Sequence, residues 1–290
     1  MFRRSIEFTA KDLGLREDVH ALGGMIGKML REQGGEALFA LVEGDRLAAI
    51  HRRDALGAAD ESHALMRRTE GRSPSVATDL TRAFSIWFQV VNTAEKVHRI
   101  RRRRLYLNDL TTAQPGGIAD CFQRLRQEGL SLEQALELTA SMRIEPVITA
   151  HPTESTRRTI LRKQQRIAQD LIDRQNPGLT QSETATLWAR VRLEITSIWQ
   201  TEDHPREALT VADEREHVLF YLVEILYRVV PLFYEEVETA LAQTYAVPAE
   251  AIEVPNILQF GSWVGGDMDG NADVHGKTIR ETLHRHQQLI

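Results

Sequence analysis

Two short runs of apolar, β-branched and aromatic residues interrupt a chain whose apolar residues otherwise recur at helical spacing. The first is Ile144-Glu145-Pro146-Val147-Ile148-Thr149-Ala150. The second is Pro255-Asn256-Ile257-Leu258-Gln259-Phe260-Gly261-Ser262-Trp263-Val264. Each contains or begins with a proline, runs into a polar loop, and is followed by a helical pattern. This strand–loop–helix order predicts parallel α/β units. In such units the loops after the strand C-termini carry the chemistry. The chain is therefore read as mostly α-helical, with the first strands of an incomplete parallel β/α (TIM-like) barrel. Residues 1–142 form the helical part, and residues 143–290 hold the first barrel strands with intervening helices. Two strands cannot close a barrel, and they leave edges unpaired. Lys277 to Ile290 carries Ile279, Leu283 and Ile290 near one helical face with no stop signal after them, so the natural chain is expected to continue past Ile290.

The helical expectations are specific. Phe84, Phe88 and Val91 fall at helical spacing between Thr81 and Tyr106, as do Leu187, Val191, Ile195 and Ile198 between Glu183 and Gln200. Residues 11–43 read as helix with breaks at Gly23-Gly24 and Gly34-Gly35. Linkers are expected at Thr69 to Ser75 and at Gln175 to Gln181. The most apolar stretch, Val218 to Phe233, is short for a membrane span and is interrupted by Glu224, Arg228 and Pro231. It is expected to be a helix buried on most sides, with Glu224 and Arg228 paired across one turn. The 290 residues are 42% hydrophobic and 27% charged, as in soluble globular proteins. A net charge of −5 provides no field for nucleic acid. The single cysteine, Cys121, excludes an internal disulfide framework and fits a reducing cytoplasm. Met1 to Glu7 lacks the apolar run of a signal peptide. A cytoplasmic protein without membrane or nucleic-acid partners is the expectation.

The loop after the first run is Thr149-Ala150-His151-Pro152-Thr153-Glu154-Ser155-Thr156-Arg157-Arg158. Pro152 biases His151 toward extended geometry, and Thr153 or Ser155 can cap the helix that follows. His151 would then sit near a helix N-terminus, where a group that exchanges a proton near neutral pH can serve a bound anion. Arg157 and Arg158 in the first helical turn oppose the macrodipole at about 0.3–1 kcal/mol each. A phosphate or carboxylate bound there reverses that cost. The same residues could instead be a hydrogen-bonded structural histidine and arginines paired with Glu154.

The loop after the second run is Gly261-Ser262-Trp263-Val264-Gly265-Gly266-Asp267-Met268-Asp269-Gly270-Asn271-Ala272-Asp273. An EF-hand needs glycine at its sixth position and glutamate at its twelfth. Counted from Asp267 those positions hold Ala272 and Thr278, so calcium is rejected. A structural turn and a substrate loop both remain open.

Together the two loops resemble the phosphoenolpyruvate carboxylase family of bacterial type. The resemblance rests on Thr149-Ala150-His151-Pro152-Thr153 followed by paired arginines, and on the glycine-rich run from Gly261 to Asn271. It rests also on the helix from Phe88 to Arg102 and on Leu22-Gly23-Gly24 with Leu30 to Gly35. It implies a lyase that joins phosphoenolpyruvate and bicarbonate into oxaloacetate and phosphate, a carbon dioxide fixation feeding the tricarboxylic acid cycle. In such a reaction bicarbonate attacks the phosphoryl group, and carboxyphosphate then releases the carbon dioxide that the enolate captures. The resemblance makes His151 the catalytic residue that handles the carboxyphosphate proton. It suggests substrate-binding roles for Arg157, Arg158, Asp267, Asp269 and Asn271. It implies Mg²⁺ or Mn²⁺, with ligands in a C-terminal part not contained in these residues, and a homotetramer at full length. Met268 stands where the family has arginine, and Ala272 where it commonly has proline. The isolated 290 residues are expected to be inactive. A non-catalytic interaction or regulatory protein on the same scaffold is the alternative. The C-terminal end of the helix reaching Arg101 to Arg104 could support an active-site mouth or be an ion network with a solvated run. No aromatic interleaves with that run, so RNA is not the expected partner.

Overall fold

The computed structural model describes residues 9–54, 66–109, 112–149, 157–202, 210–268 and 270–289. They are mostly helical and divide into two compact units. The first comprises residues 1–104 and 156–203, the second residues 105–155 and 204–290.

In the first unit, α1 (Leu13–Asp54), α2 (Pro74–Asn108, to Arg104 within this unit), α5 (Arg158–Asp173) and α6 (Gln181–Trp199) surround one core. Leu22, Met29, Ile86, Ile160, Ile167 and Ile195 are among its fully buried side chains. The expected spacing holds in α6, where Leu187, Val191, Ile195 and Ile198 are all buried. In α2 the buried face lies one position round from the expected stripe. Ala83, Ile86, Val90, Ala94 and Val97 face inward, while Phe88 is 60% exposed. Alanines at 83 and 94 let neighbouring helices approach closely, an effect that side-chain size alone does not announce.

Of the two expected glycine breaks in α1, one is present. Gly35 has φ 80° and ψ 169°, outside the helical region and accessible to glycine at little cost. Gly23 and Gly24 are helical. A Cβ on Gly23 would stand 3.0 Å from the Trp87 ring, so this glycine admits a close packing contact rather than a bend.

A polar cluster lies inside this unit. Asp18 is 0% exposed and accepts hydrogen bonds from Arg101 Nη2 (2.7 Å) and from Arg174. The Arg174 guanidinium lies over Trp188, 4.5 Å from the ring centre. Gly14 leaves the space that Arg101 occupies, since a Cβ there would come within 2.5 Å of Nη1. Arg101 thus belongs to a buried ion network, while Arg103 and Arg104 are exposed. Near the other end of α1, Arg72 forms a two-bond fork on Asp45 (2.6 and 2.8 Å), joined by Arg68 at 3.1 Å.

The second unit contains α3 (Ile118–Gln127), α4 (Leu132–Ser141), β1 (Val147–Ile148), α7 (Val211–Phe220), α8 (Tyr227–Tyr245), β2 (Gly261–Ser262) and α9 (Gly276–Gln287). Ser131 caps α4 and Thr210 caps α7, each through a reciprocal capping box. The strands are parallel, with Val147 opposite Gly261 and Ile148 opposite Ser262. The pairing extends backward through an isolated bridge between Ile144 and Leu258. Its bonds are Ile144 N to Ile257 O (2.7 Å), Gln259 N to Ile144 O (2.9 Å), Gly261 N to Pro146 O (3.0 Å) and Trp263 N to Ile148 O (2.9 Å). Both expected strands are therefore present and parallel, though shorter than their apolar runs. Among the described residues they form a two-stranded pair, and no barrel is formed by them.

α7 and α8 join through a π-helical turn, Tyr221–Leu226, giving one rod from Val211 to Tyr245. Its apolar stretch was expected to be buried on most sides, and the structure corrects this: Tyr227 is 78% exposed, and Val229 and Leu232 are exposed as well. Apolar content does not fix which face packs. The rod packs at its two ends: Val211 and Val218 sit in one cluster, and Val237, Ala240 and Leu241 lie further along, beside Phe122 of α3. Pro231 lacks an N–H for the helical ladder and crowds the preceding turn, close to where the widened turn occurs. By length and composition this rod is apolar enough to cross a membrane. The expected Glu224–Arg228 pair is present at 2.7 Å.

Two measurements check these assignments. Asp18→Asn leaves two guanidinium groups without a counter-charge, and denaturant unfolding is expected to show a loss of about 3–5 kcal/mol. The Arg72 guanidinium beside Asp45 holds that carboxyl below its ordinary value of 3.8. Its stabilising contribution is present above that value and is lost as pH falls through the lowered folded value. Asp45→Asn is expected to cost about 1.5–3 kcal/mol at neutral pH and to flatten the acid limb of a stability–pH curve.

Candidate active site

The parallel pairing decides where the two loops begin. Both strands end at the same edge of the pair, and Trp263 N donates to Ile148 O at 2.9 Å. Thr149, two residues before His151, thus leaves the sheet beside the start of the glycine-rich loop. His151 itself, with residues 150–156, lies outside the described residues, as does Asp269. The proposed caps Thr153 and Ser155 lie outside them too.

The helix after the first loop is α5. Arg157 occupies its N-cap position with extended ψ (137°), and no side chain caps it. Among the described residues the N-cap and the first helical residue, Arg157 and Arg158, both carry guanidinium groups beside the first-turn amides. Arg157 is half-buried and donates from Nη1 to the Glu202 carbonyl at 3.1 Å. Arg158 is exposed.

Lys163 escaped the sequence reading. It is 7% exposed on the inner face of α5 and donates to Ser197 O (2.9 Å), Ser197 Oγ (2.6 Å) and Thr201 Oγ1 (2.6 Å). Burial pushes its ammonium below the usual lysine range, partly offset by the carboxylate of Glu194. The signal was available: Ile160, Lys163, Ile167 and Leu171 share one helical stripe, and a cation at a core position calls for built-in partners.

The second loop is held at both ends by its own core, where Val264 and Val274 pack with Val211 and Val218. Gly265 has φ 78°, and a Cβ there would stand 2.7 Å from Thr282 Oγ1. Asp267 Oδ1 accepts from Gly270 N (3.0 Å), and Asn271 Oδ1 accepts from Asp273 N (3.0 Å). The structure thus gives both of these side chains a turn-forming role within one loop. Met268 is 61% exposed and presents its thioether to solvent. Among the described residues no group of three His, Cys, Asp or Glu side chains could hold a metal ion.

The fold is a mostly helical one in which a short parallel strand pair releases both loops from one edge. Comparison with known proteins gives the family. The family model described as phosphoenolpyruvate carboxylase matches residues 15–290. A phosphoenolpyruvate carboxylase of Xanthomonas campestris pv. campestris (strain 8004) is 44% identical over 291 residues, covering 100% of this chain and 31% of its own length. Those of Paraburkholderia xenovorans (strain LB400) and Ralstonia nicotianae are 37% and 36% identical. They align with 97% and 99% of this chain and with 28% and 29% of their own lengths. The chain belongs to the phosphoenolpyruvate carboxylase family, and it spans about a third of the length of these relatives.

Gly265→Ala combines a positive φ with a close approach to Thr282. Thermal or denaturant unfolding is expected to show a loss of more than about 1 kcal/mol. Adding Thr282→Ala is expected to restore only the steric part.

Proposed function

We propose that this chain supplies part of the active site of a phosphoenolpyruvate carboxylase, which joins phosphoenolpyruvate and bicarbonate into oxaloacetate and phosphate. The observation that carries this reading is the parallel pairing of residues 144–148 with 257–263, which brings the roots of both family loops to one sheet edge. The named activity of the relatives supports it.

In this reading His151 moves the carboxyphosphate proton, as an imidazole that can exchange a proton near neutral pH. Arg157 and Arg158 bind phosphate or carboxylate at the start of α5, where helix end and guanidinium act together. Asp267 and Asn271 shape the second loop, and with Asp269 they are proposed to bind substrate. The metal ion, the tetrameric assembly and the cytoplasmic setting belong to the same proposal. The 290 residues alone are proposed to be inactive, because they span only about a third of the relatives' length.

A second reading, a non-catalytic interaction protein on this scaffold, draws support from Met268, since a thioether cannot neutralise an anion. Oxaloacetate formation by the intact gene product separates the two. His151→Asn is expected to lower kcat by about 10²–10⁴-fold, the range for a lost acid–base group, with folding unchanged. Wild-type turnover in that variant contradicts the assignment, and an inactive wild-type protein favours the second reading.

A further inference from the structure

Three cations converge on the C-terminal end of α6. Lys163 Nζ bonds Ser197 O, Ser197 Oγ and Thr201 Oγ1. Arg82 Nη2 donates to Thr201 O at 3.1 Å, and Arg157 Nη1 donates to Glu202 O at 3.1 Å. A helix C-terminus carries unsatisfied carbonyls and partial negative charge, so cations there are favourable. Lys163 is nevertheless an expensive choice. Its bonds to Ser197 and Thr201 all go to uncharged oxygens, and burial works against its charge. A methionine or leucine of similar volume would fill the space without that cost. What an ammonium adds is direction, because its three donors meet three acceptors in the last turn of α6 and just past it.

The order along the chain gives that direction a purpose. Thr201 Oγ1 is held by Lys163, the Thr201 carbonyl receives Arg82, and the next carbonyl, Glu202 O, receives Arg157. Lys163 and Arg157 also lie six residues apart at the start of one helix. We propose that Lys163 is a positioning residue: by fixing the end of α6 it fixes the carbonyl on which the Arg157 guanidinium rests, and so sets the anion-binding start of α5. This rests on the reading of Arg157 as an anion-binding residue.

The test uses the intact gene product with Lys163→Met, Arg157→Ala and the double variant. Steady-state kinetics with phosphoenolpyruvate are expected to show about a tenfold rise in KM for Lys163→Met, with kcat changed less than about threefold. In the Arg157→Ala background the same substitution is expected to shift KM by less than about twofold, because its effect passes through Arg157. An unchanged KM, or an equal rise in both backgrounds, overturns the proposal. If Lys163→Met does not fold, Thr201→Val removes a single acceptor and is expected to shift KM in the same direction, also only when Arg157 is present.

Amide hydrogen exchange gives a readout independent of turnover. Ile160 N and Leu161 N both bond to the Arg157 carbonyl, at 2.9 and 3.1 Å. Lys163→Met and Arg157→Ala are each expected to speed exchange there, and the double variant to be no faster than Arg157→Ala. Coupled exchange in a protein that makes no oxaloacetate sinks the functional reading and leaves the positioning role standing. Uncoupled exchange in an active enzyme sinks the positioning role alone.

Discussion

The account depends on one short ladder of backbone hydrogen bonds, the parallel pairing that runs from Ile144 with Ile257 to Ile148 with Trp263. Parallel strands end on the same side, so this pairing decides that the chain enters both family loops from one edge. An antiparallel arrangement of the same segments would send the loops to opposite ends. Gly261 tightens the pairing, since a Cβ there would lie 3.3 Å from Val147 Cγ2. Core packing by Ile148, Val211, Val218, Val264 and Val274 holds the pair and the root of the second loop in one place.

Within the first unit the organising force is buried charge. Asp18 gathers Arg101 and Arg174 from α2 and from the end of α5, and Lys163 ties α5 to the end of α6. Apolar packing brings these helices together without selecting one register among several. Fixed donors and acceptors make that selection, at a desolvation cost that breaking either partner would expose. The start of α5, with Arg157 and Arg158, inherits its placement from these contacts.

Much of this was legible before any coordinates. The two strands stood out because β-branched runs with early prolines are foreign to helices. α6 was plain because Leu187, Val191, Ile195 and Ile198 keep a strict step. The inner face of α2 was not, since Ala83 and Ala94 pack as well as larger residues and Phe88 points outward. The exposure of Tyr227 and Leu232 was hidden for a related reason: hydropathy reports what a side chain prefers, while packing depends on which other elements arrive. Asp267 and Asn271 were legible as loop residues, but turn formation and ligand contact call for the same side chains. Lys163 was overlooked because a lysine in a helix is ordinarily a surface residue.

The most direct measurement is a crystal structure of the intact gene product with a phosphoenolpyruvate analogue bound. The account predicts the ligand at the edge where Ile148 and Ser262 end, with the His151 ring facing it. A ligand at the opposite end of the strands, or an imidazole packed away from it in the interior, would contradict the account.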